Sequence, residues 1–360
     1  MTSTKFCRTA MLCASAFAGI LAALSLTSCS ADCSSSADKA MDRFIDGLMG
    51  KMTLEEKIGQ LNLSGGNVPG VLSGAQGIDD LIRMGYLSAT GWAEVDELKR
   101  LQTIAVEESR MGIPLLCGVD VIHGFHTIFP IPLALSCTWD PDLVEKTARA
   151  AAVEASSNGI SWTYSPMVDI ARDARWGRIA EGSGEDPYLG SLMAAAMVRG
   201  YQGDDLADEE TIMACVKHFA LYGASEAGRD YNTVDMSRLQ MYNSYLEPYK
   251  AAFQAGAGSA MSSFNLVEGV PASGNRWLMT ELLRDEWGFK GFVVSDYDAI
   301  GEMTAHGLGD TKSVSAQALK AGLDMDMMTL GYLKTLKASV EDGSVSEKDV
   351  DKACRRVLEA

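Results

Sequence analysis

Short apolar or β-branched runs alternate with longer stretches of helical spacing through most of this chain, and that alternation points to a fold class before any single residue is weighed. Candidate strands lie at 60–63 (QLNL), 86–90 (YLSAT), 114–119 (PLLCGV), 161–165 (SWTYS), 213–218 (MACVKH), 259–263 (SAMSS), 291–296 (GFVVSD) and 322–326 (GLDMD). Amphipathic segments fall between them, among others at 94–110, 141–158, 188–202, 238–255, 276–287 and 332–341. A helix carrying Phe44, Ile45, Leu48 and Met49 comes first, and Thr53 and Glu56 in "MTLEEKIGQL" then have capping-box spacing. The closing "EKDVDKACRRVLEA" also has helical spacing, with basic residues near its end. Roughly eight strand–helix alternations predict an α/β (β/α)8 barrel of the TIM type, a single domain. An open doubly wound sheet fits less well, because no G-x-G-x-x-G turn follows the first strand.

The N-terminal segment breaks this pattern. Lys5 and Arg8 precede an uncharged stretch from Thr9 to Ser28, and "LTSC" closes it at Cys29. A basic start, an apolar middle and a small-residue site ending in cysteine resemble a bacterial lipoprotein signal. The expected organisation is a signal over 1–28, a flexible tether over 29–40 and the barrel over 41–360. Lipidated Cys29 would then hold the chain on a membrane, facing the periplasm or cell exterior. Removing the signal takes Lys5 and Arg8 with it, so a formal charge of −17 becomes more negative still. That surface disfavours nucleic acid and suits a neutral substrate. Cys117, Cys137, Cys215 and Cys354 lie far apart without CxxC pairing, which reads as buried free thiols.

In a barrel of this type the working groups stand at the C-terminal ends of the strands. Asp120 ends the third strand, and Arg172, Arg175 and Arg178 crowd the loop after the fourth. Lys217 and His218 end the fifth, Ser263, Phe264 and Asn265 the sixth, and Asp296 and Tyr297 the seventh. Carboxylates beside a Lys-His pair exchange several hydrogen bonds with vicinal hydroxyls, and Trp176 and Tyr297 offer ring faces, so the group suits a sugar. An ionised aspartate in such a mouth serves as a nucleophile or base rather than as an acid.

The motifs "MTLEEKIGQL", "GVDVIHG", "PLALSCTWDPDLV", "SPMVDIARDARWGRIAEGSGEDPYL", "VKHFALYGASEAGRDYNTVDMS" and "GFVVSDYDAIGEM" resemble the N-terminal barrel of family 3 glycoside hydrolases, the periplasmic β-glucosidases especially. The resemblance implies that Asp296 is the catalytic nucleophile, and that Asp120, Arg178, Lys217 and His218 hold the sugar at the nonreducing end. It implies no cofactor. A retaining glycosidase also needs a carboxyl group that protonates the leaving oxygen. In the family's β-glucosidases that glutamate belongs to a second, C-terminal domain, for which no counterpart is found up to Ala360. A separate chain is one expected source.

The family's single-barrel N-acetylglucosaminidases use a histidine after the Lys-His strand. The loop "FALYGASEAGRDYNTVDMS" contains none, and its carboxylates are Glu226, Asp230 and Asp235. The run resembles that of the two-domain β-glucosidases instead, and the resemblance implies the activity of a retaining exo-β-glucosidase. The alternatives are a β-xylosidase of the same family and a sugar-binding lipoprotein without catalysis.

Several nearby groups have plainer readings. Asp298 reads as a solvent-facing loop acid. The cluster of Arg172, Arg175 and Arg178 reads as mainly structural, tying its loop to Glu181, Glu185 and Asp186, with Arg178 alone expected to touch sugar. The HxxH spacing of His123 and His126 fits neither a helix face nor a strand face, so no metal is expected. Asp324 and Asp326 share a strand face in a structural role.

Overall fold

The computed structural model describes residues 36–65 and 77–360. Contacts divide the chain into Met1–Gly47 and Leu48–Ala360. In the first unit the described residues belong to the helix Ser36–Met49, so 36–40 of the expected tether are helical. The expected signal and Cys29 lie outside the described residues. No helix among the described residues is long and apolar enough to cross a membrane.

The second unit is built on β1 (Asn62–Leu63), β2 (Ala89–Thr90), β3 (Leu116–Val119), β4 (Trp162–Thr163), β5 (Met213–Phe219) and β6 (Ser259–Ser262). A hairpin of β7 (Leu266–Val267) and β8 (Val270–Pro271) follows, then β9 (Phe292–Val294) and β10 (Asp326–Met327). Leaving out the hairpin, eight strands pair in the order β10-β1-β2-β3-β4-β5-β6-β9, every pair parallel. A parallel bridge between Val294 and Met325 joins the two ends, and the Ser295 N–H donates to the Met325 carbonyl at 2.8 Å. The sheet thus curls into the expected (β/α)8 barrel. Each of the eight candidate strands overlaps an observed one: six are shorter than expected, β5 runs one residue further to Phe219, and β10 begins only at the last candidate residue, Asp326.

Several helices start where local chemistry supplies a cap. Asp140 and Asp186 each accept a hydrogen bond from the backbone three residues on, with a proline at the first helical position of Pro141–Ser157 and Pro187–Gln202. The Thr53–Glu56 capping box forms as expected. Those two long helices pack closely because Gly200 has no Cβ, which would sit 2.5 Å from that of Ala148.

Within the core, Trp162 meets the rings of Tyr164 and Phe292 edge-on at 5.0 and 5.2 Å, and its indole N–H donates to Ser259 Oγ at 2.8 Å. Burying a ring such as Phe292 stabilises the fold by about 1.5–3 kcal/mol. Cys117, Cys215 and Cys354 are buried free thiols; Cys137, expected to be buried, is exposed at the end of a one-turn helix.

Asp324, just ahead of β10, is a clamp in this frame. Its carboxylate accepts from Arg284 at 2.6 Å, Arg356 at 2.8 Å and the Val293 N–H at 2.8 Å. The strand is thereby tied to the helical segments Trp277–Glu286 and Glu347–Leu358. Asp326 has a separate environment: fully buried, it accepts from the Tyr332 N–H at 3.1 Å. Burial pushes its carboxyl up to about 6. The two acids therefore have separate partner sets within the frame.

Candidate active site

Three strand ends and one loop build the site. Asp120 follows β3, Lys217 and His218 lie in β5, and Asp296 follows β9 by two residues. Neighbours on a regular strand point to opposite faces. The ladder between β5 and β6 shifts register between Val216 and Phe219, and in this irregular stretch Lys217 and His218 both find partners in the site. The buried Lys217 ammonium donates to Asp120 Oδ1 at 2.5 Å. Its carboxylate partner is half exposed, so one member of the pair remains reachable by a ligand.

His218 is buried, with Nδ1 2.9 Å from Asp169 Oδ2 and Nε2 3.5 Å from Asp296 Oδ2. One oxygen of Asp296 is held, since Oδ1 accepts from the Tyr297 N–H at 2.7 Å. The other, Oδ2, is shielded from solvent and has no hydrogen-bond partner among the described residues. A carboxylate fixed through one oxygen with free lone pairs on the other has the form that a nucleophile needs.

Arg178 closes one side through two bonds to Glu181, at 2.6 and 2.9 Å. Its guanidinium lies 5.6 Å from the centroid of the Tyr222 ring. Burial opposes the charge on Arg178, yet Glu181, Asp296 and Asp169 outweigh it and hold the group above its ordinary value. Glu181 is likewise pushed up by burial but drawn below its ordinary value by Arg178, Lys217 and His218. Beyond them, Tyr231 and Phe264 pack at 4.7 Å and form an aromatic edge. Burial, with Asp298 and Asp296 nearby, raises the Glu302 carboxyl.

The expected site residues Asp120, Arg178, Lys217, His218 and Asp296 thus converge. Other expectations are corrected. Trp176 cannot offer a ring face, because it is buried against Met167 and Tyr222 and its indole N–H donates to Asp230 at 3.1 Å. Ser263 and Asn265 bond the Ala220 carbonyl, at 3.1 and 3.2 Å, and brace a loop rather than face a ligand. Asp298 is not simply solvent-facing: it accepts from Thr329 Oγ1 at 2.8 Å. Arg175 pairs with Asp173, and Arg172 lies over the Tyr245 ring, so neither reaches Glu185 or Asp186.

The residue that sequence reasoning missed is Asp169, which is fully buried and bonded to His218. Its signal was present, an acid in "SPMVDIARD" within the loop after a strand, but nothing in the spacing linked it to a histidine 49 positions away. His123 Nδ1 lies 2.9 Å from the Phe129 carbonyl. No cluster of three potential metal ligands exists among the described residues.

Comparison with known proteins supplies the context for this geometry. The model of the glycosyl hydrolase family 3 N terminal domain matches residues 53–360. A periplasmic beta-glucosidase of Salmonella typhimurium is 43% identical over 322 residues, 89% of this chain and 42% of that protein. A beta-xylosidase of Formosa agariphila is 35% identical over 287 residues, covering 74% of this chain and 40% of that one. The structure of a beta-glucosidase mutant from Listeria innocua in complex with laminaribiose superimposes with a TM-score of 0.83 at 40% identity, over 88% of this chain and 46% of that one. The chain thus spans less than half the length of these relatives. Fold, matched residues and converging strand ends agree, and the chain belongs to the family defined by the glycosyl hydrolase family 3 N-terminal domain.

Proposed function

We propose that this chain is the barrel of a retaining exo-β-glucosidase, exported and tethered through a lipidated Cys29. The observation that carries the reading is the free Oδ2 of Asp296, aimed toward His218 at 3.5 Å beside the Lys217–Asp120 pair. In this reading Asp296 Oδ2 bonds to the anomeric carbon while the bond to the aglycone oxygen breaks. Asp120, Arg178, Lys217 and His218 hold the hydroxyls of the sugar, and their contacts strengthen as the ring approaches an oxocarbenium ion. Water then adds to the anomeric carbon and frees the Asp296 carboxylate, with configuration retained. The proton for the aglycone comes from a carboxyl outside this barrel, in a further part of a longer protein or a separate chain.

A substrate whose leaving group needs no proton isolates the barrel's own share of the chemistry. The test incubates the chain with a 2-deoxy-2-fluoro-β-glucoside of dinitrophenol and maps the adduct by mass spectrometry. The expected result is a fluoroglucosyl ester on Asp296. Sugar binding without an adduct would leave a binding lipoprotein. Faster labelling by the matching fluoroxyloside would favour a β-xylosidase, a reading supported by the similarity to the Formosa agariphila protein.

A further inference from the structure

We propose that Asp169 is the positioning residue of the sugar subsite: it never touches the sugar, but sets the ring of His218 and the backbone beneath Tyr222 from one buried carboxylate. Oδ2 accepts from both the His218 backbone N–H and ring Nδ1, each at 2.9 Å. Oδ1 accepts from the Tyr222 N–H at 3.1 Å and from the Tyr249 hydroxyl. Tyr249 also lies 2.8 Å from the His218 carbonyl and accepts from the Leu221 N–H at 3.2 Å. Four donors from three residues therefore meet on one side chain.

This is an unusual way to bury a carboxylate. Asp169 is almost wholly removed from water, yet among the described residues no lysine or arginine pairs with it. Burial pushes its carboxyl up, and the bonds from His218 and Tyr249 outweigh that and leave it below its ordinary value. A group that served only to join two segments could be replaced by an apolar contact at little cost. What an apolar group cannot do is select which imidazole nitrogen carries a proton. With Nδ1 donating to Asp169, Nε2 is the nitrogen turned to Asp296.

The second arm runs through Tyr222. Its N–H is held by Asp169, its ring meets that of His218 edge-on at 5.1 Å, and it underlies Arg178 at 5.6 Å. The following residue must be glycine for the loop to come this close, because a Cβ on Gly223 would lie 2.5 Å from the Ile170 carbonyl oxygen. Asp169 thus sets His218 directly, and it anchors the Tyr222 ring that lies under Arg178, whose guanidinium is itself held by Glu181.

Asp169→Asn tests this in the full chain. One amide oxygen can serve the two His218 donors, but the amide nitrogen then faces the Tyr222 N–H, donor against donor. Tyr249→Phe is the milder companion, removing one donor. The kinetic arm rests on the glycosidase reading: labelling with the fluoroglucoside gives a rate constant at saturating probe and, at completion, the fraction of competent sites. We expect the rate constant to fall roughly 10²-fold or more in Asp169→Asn and roughly tenfold in Tyr249→Phe, with the competent fraction unchanged. A lower fraction with an unchanged rate constant in both variants would make Asp169 merely structural and overturn the proposal.

The second arm needs no turnover. Histidine ¹H–¹⁵N correlation spectra should show His218 protonated at Nδ1 in the parent chain, with that signal displaced in both variants. A bare Nδ1 in the parent overturns the proposal even if labelling succeeds. A protonated Nδ1 in a parent that takes no label counts against the glycosidase reading alone.

Discussion

Asp169 and Asp324 are both aspartates sealed inside the barrel, and they do opposite things. Asp324 precedes β10 and is neutralised by Arg284 and Arg356, whose helical segments it ties to the sheet. Asp169 lies in the loop beyond β4 and is held by histidine and tyrosine donors that lead into the site. Burial and residue type are the same, so neither can tell a frame residue from a site residue. The partners can: guanidinium groups make a clamp, whereas an imidazole with its second nitrogen facing another carboxylate makes a path to chemistry.

The sharpest test of that contrast removes chemistry without touching the frame. Asp296→Ala should lower the rate of fluoroglucosyl labelling by about 10⁴-fold or more, while the denaturant midpoint stays at or above that of the parent chain. A large loss of stability would mean that Asp296 is part of the frame. The converse is Asp324→Ala, which strands two arginines. It should destabilise the chain by about 3–5 kcal/mol in urea unfolding, with the labelling rate per competent site unchanged.

Asp326 adds a test of pH. Its folded carboxyl titrates at about 6, above the ordinary 3.8, so the folded state holds a proton that the unfolded chain releases between those values. Stability from this group is therefore greatest below about pH 4 and falls as pH rises through about 6, by about 3 kcal/mol in total. Asp326→Asn should remove that loss, so unfolding at pH 4.5 and pH 7.5 should show the variant gaining on the parent at the higher pH. Equal shifts at both would contradict the burial account. At the small end, Arg175→Ala cuts an exposed pair with Asp173. It should leave the urea midpoint unchanged and alter labelling by less than about twofold, whereas an effect approaching that of Asp169→Asn would move Arg175 into the site.

Much of the barrel was legible because its signals are local. A parallel strand buried on both faces reads as a short apolar run, and Asp-Pro at 140–141 and 186–187 marks helix starts whatever surrounds them. The helix Thr311–Ala321 lies outside the amphipathic segments named above although Asp310 caps it, since its small, mixed residues give a weak stripe. The hairpin of β7 and β8 was also unassigned; its turn puts Glu268 and Gly269 at positive φ, a two-residue signal easily hidden inside a loop. Where helices were expected at 94–110 and 238–255, the structure has wider i→i+5 turns over Ile104–Glu108 and Met241–Tyr245. Apolar spacing cannot distinguish the two windings over a single turn.

The sequence by itself determined the alternation, hence the barrel, and the barrel's geometry put Asp120, Lys217, His218 and Asp296 at one mouth because strand ends must gather there. Tertiary structure alone decided which polar groups face that mouth and which turn away. It buried Trp176, sent Ser263 and Asn265 to the Ala220 carbonyl, and joined Asp169 to His218. The physical reason is that hydrophobic periodicity is written along the chain, whereas a hydrogen bond depends on distances between segments far apart in sequence, which exist only after the sheet has closed.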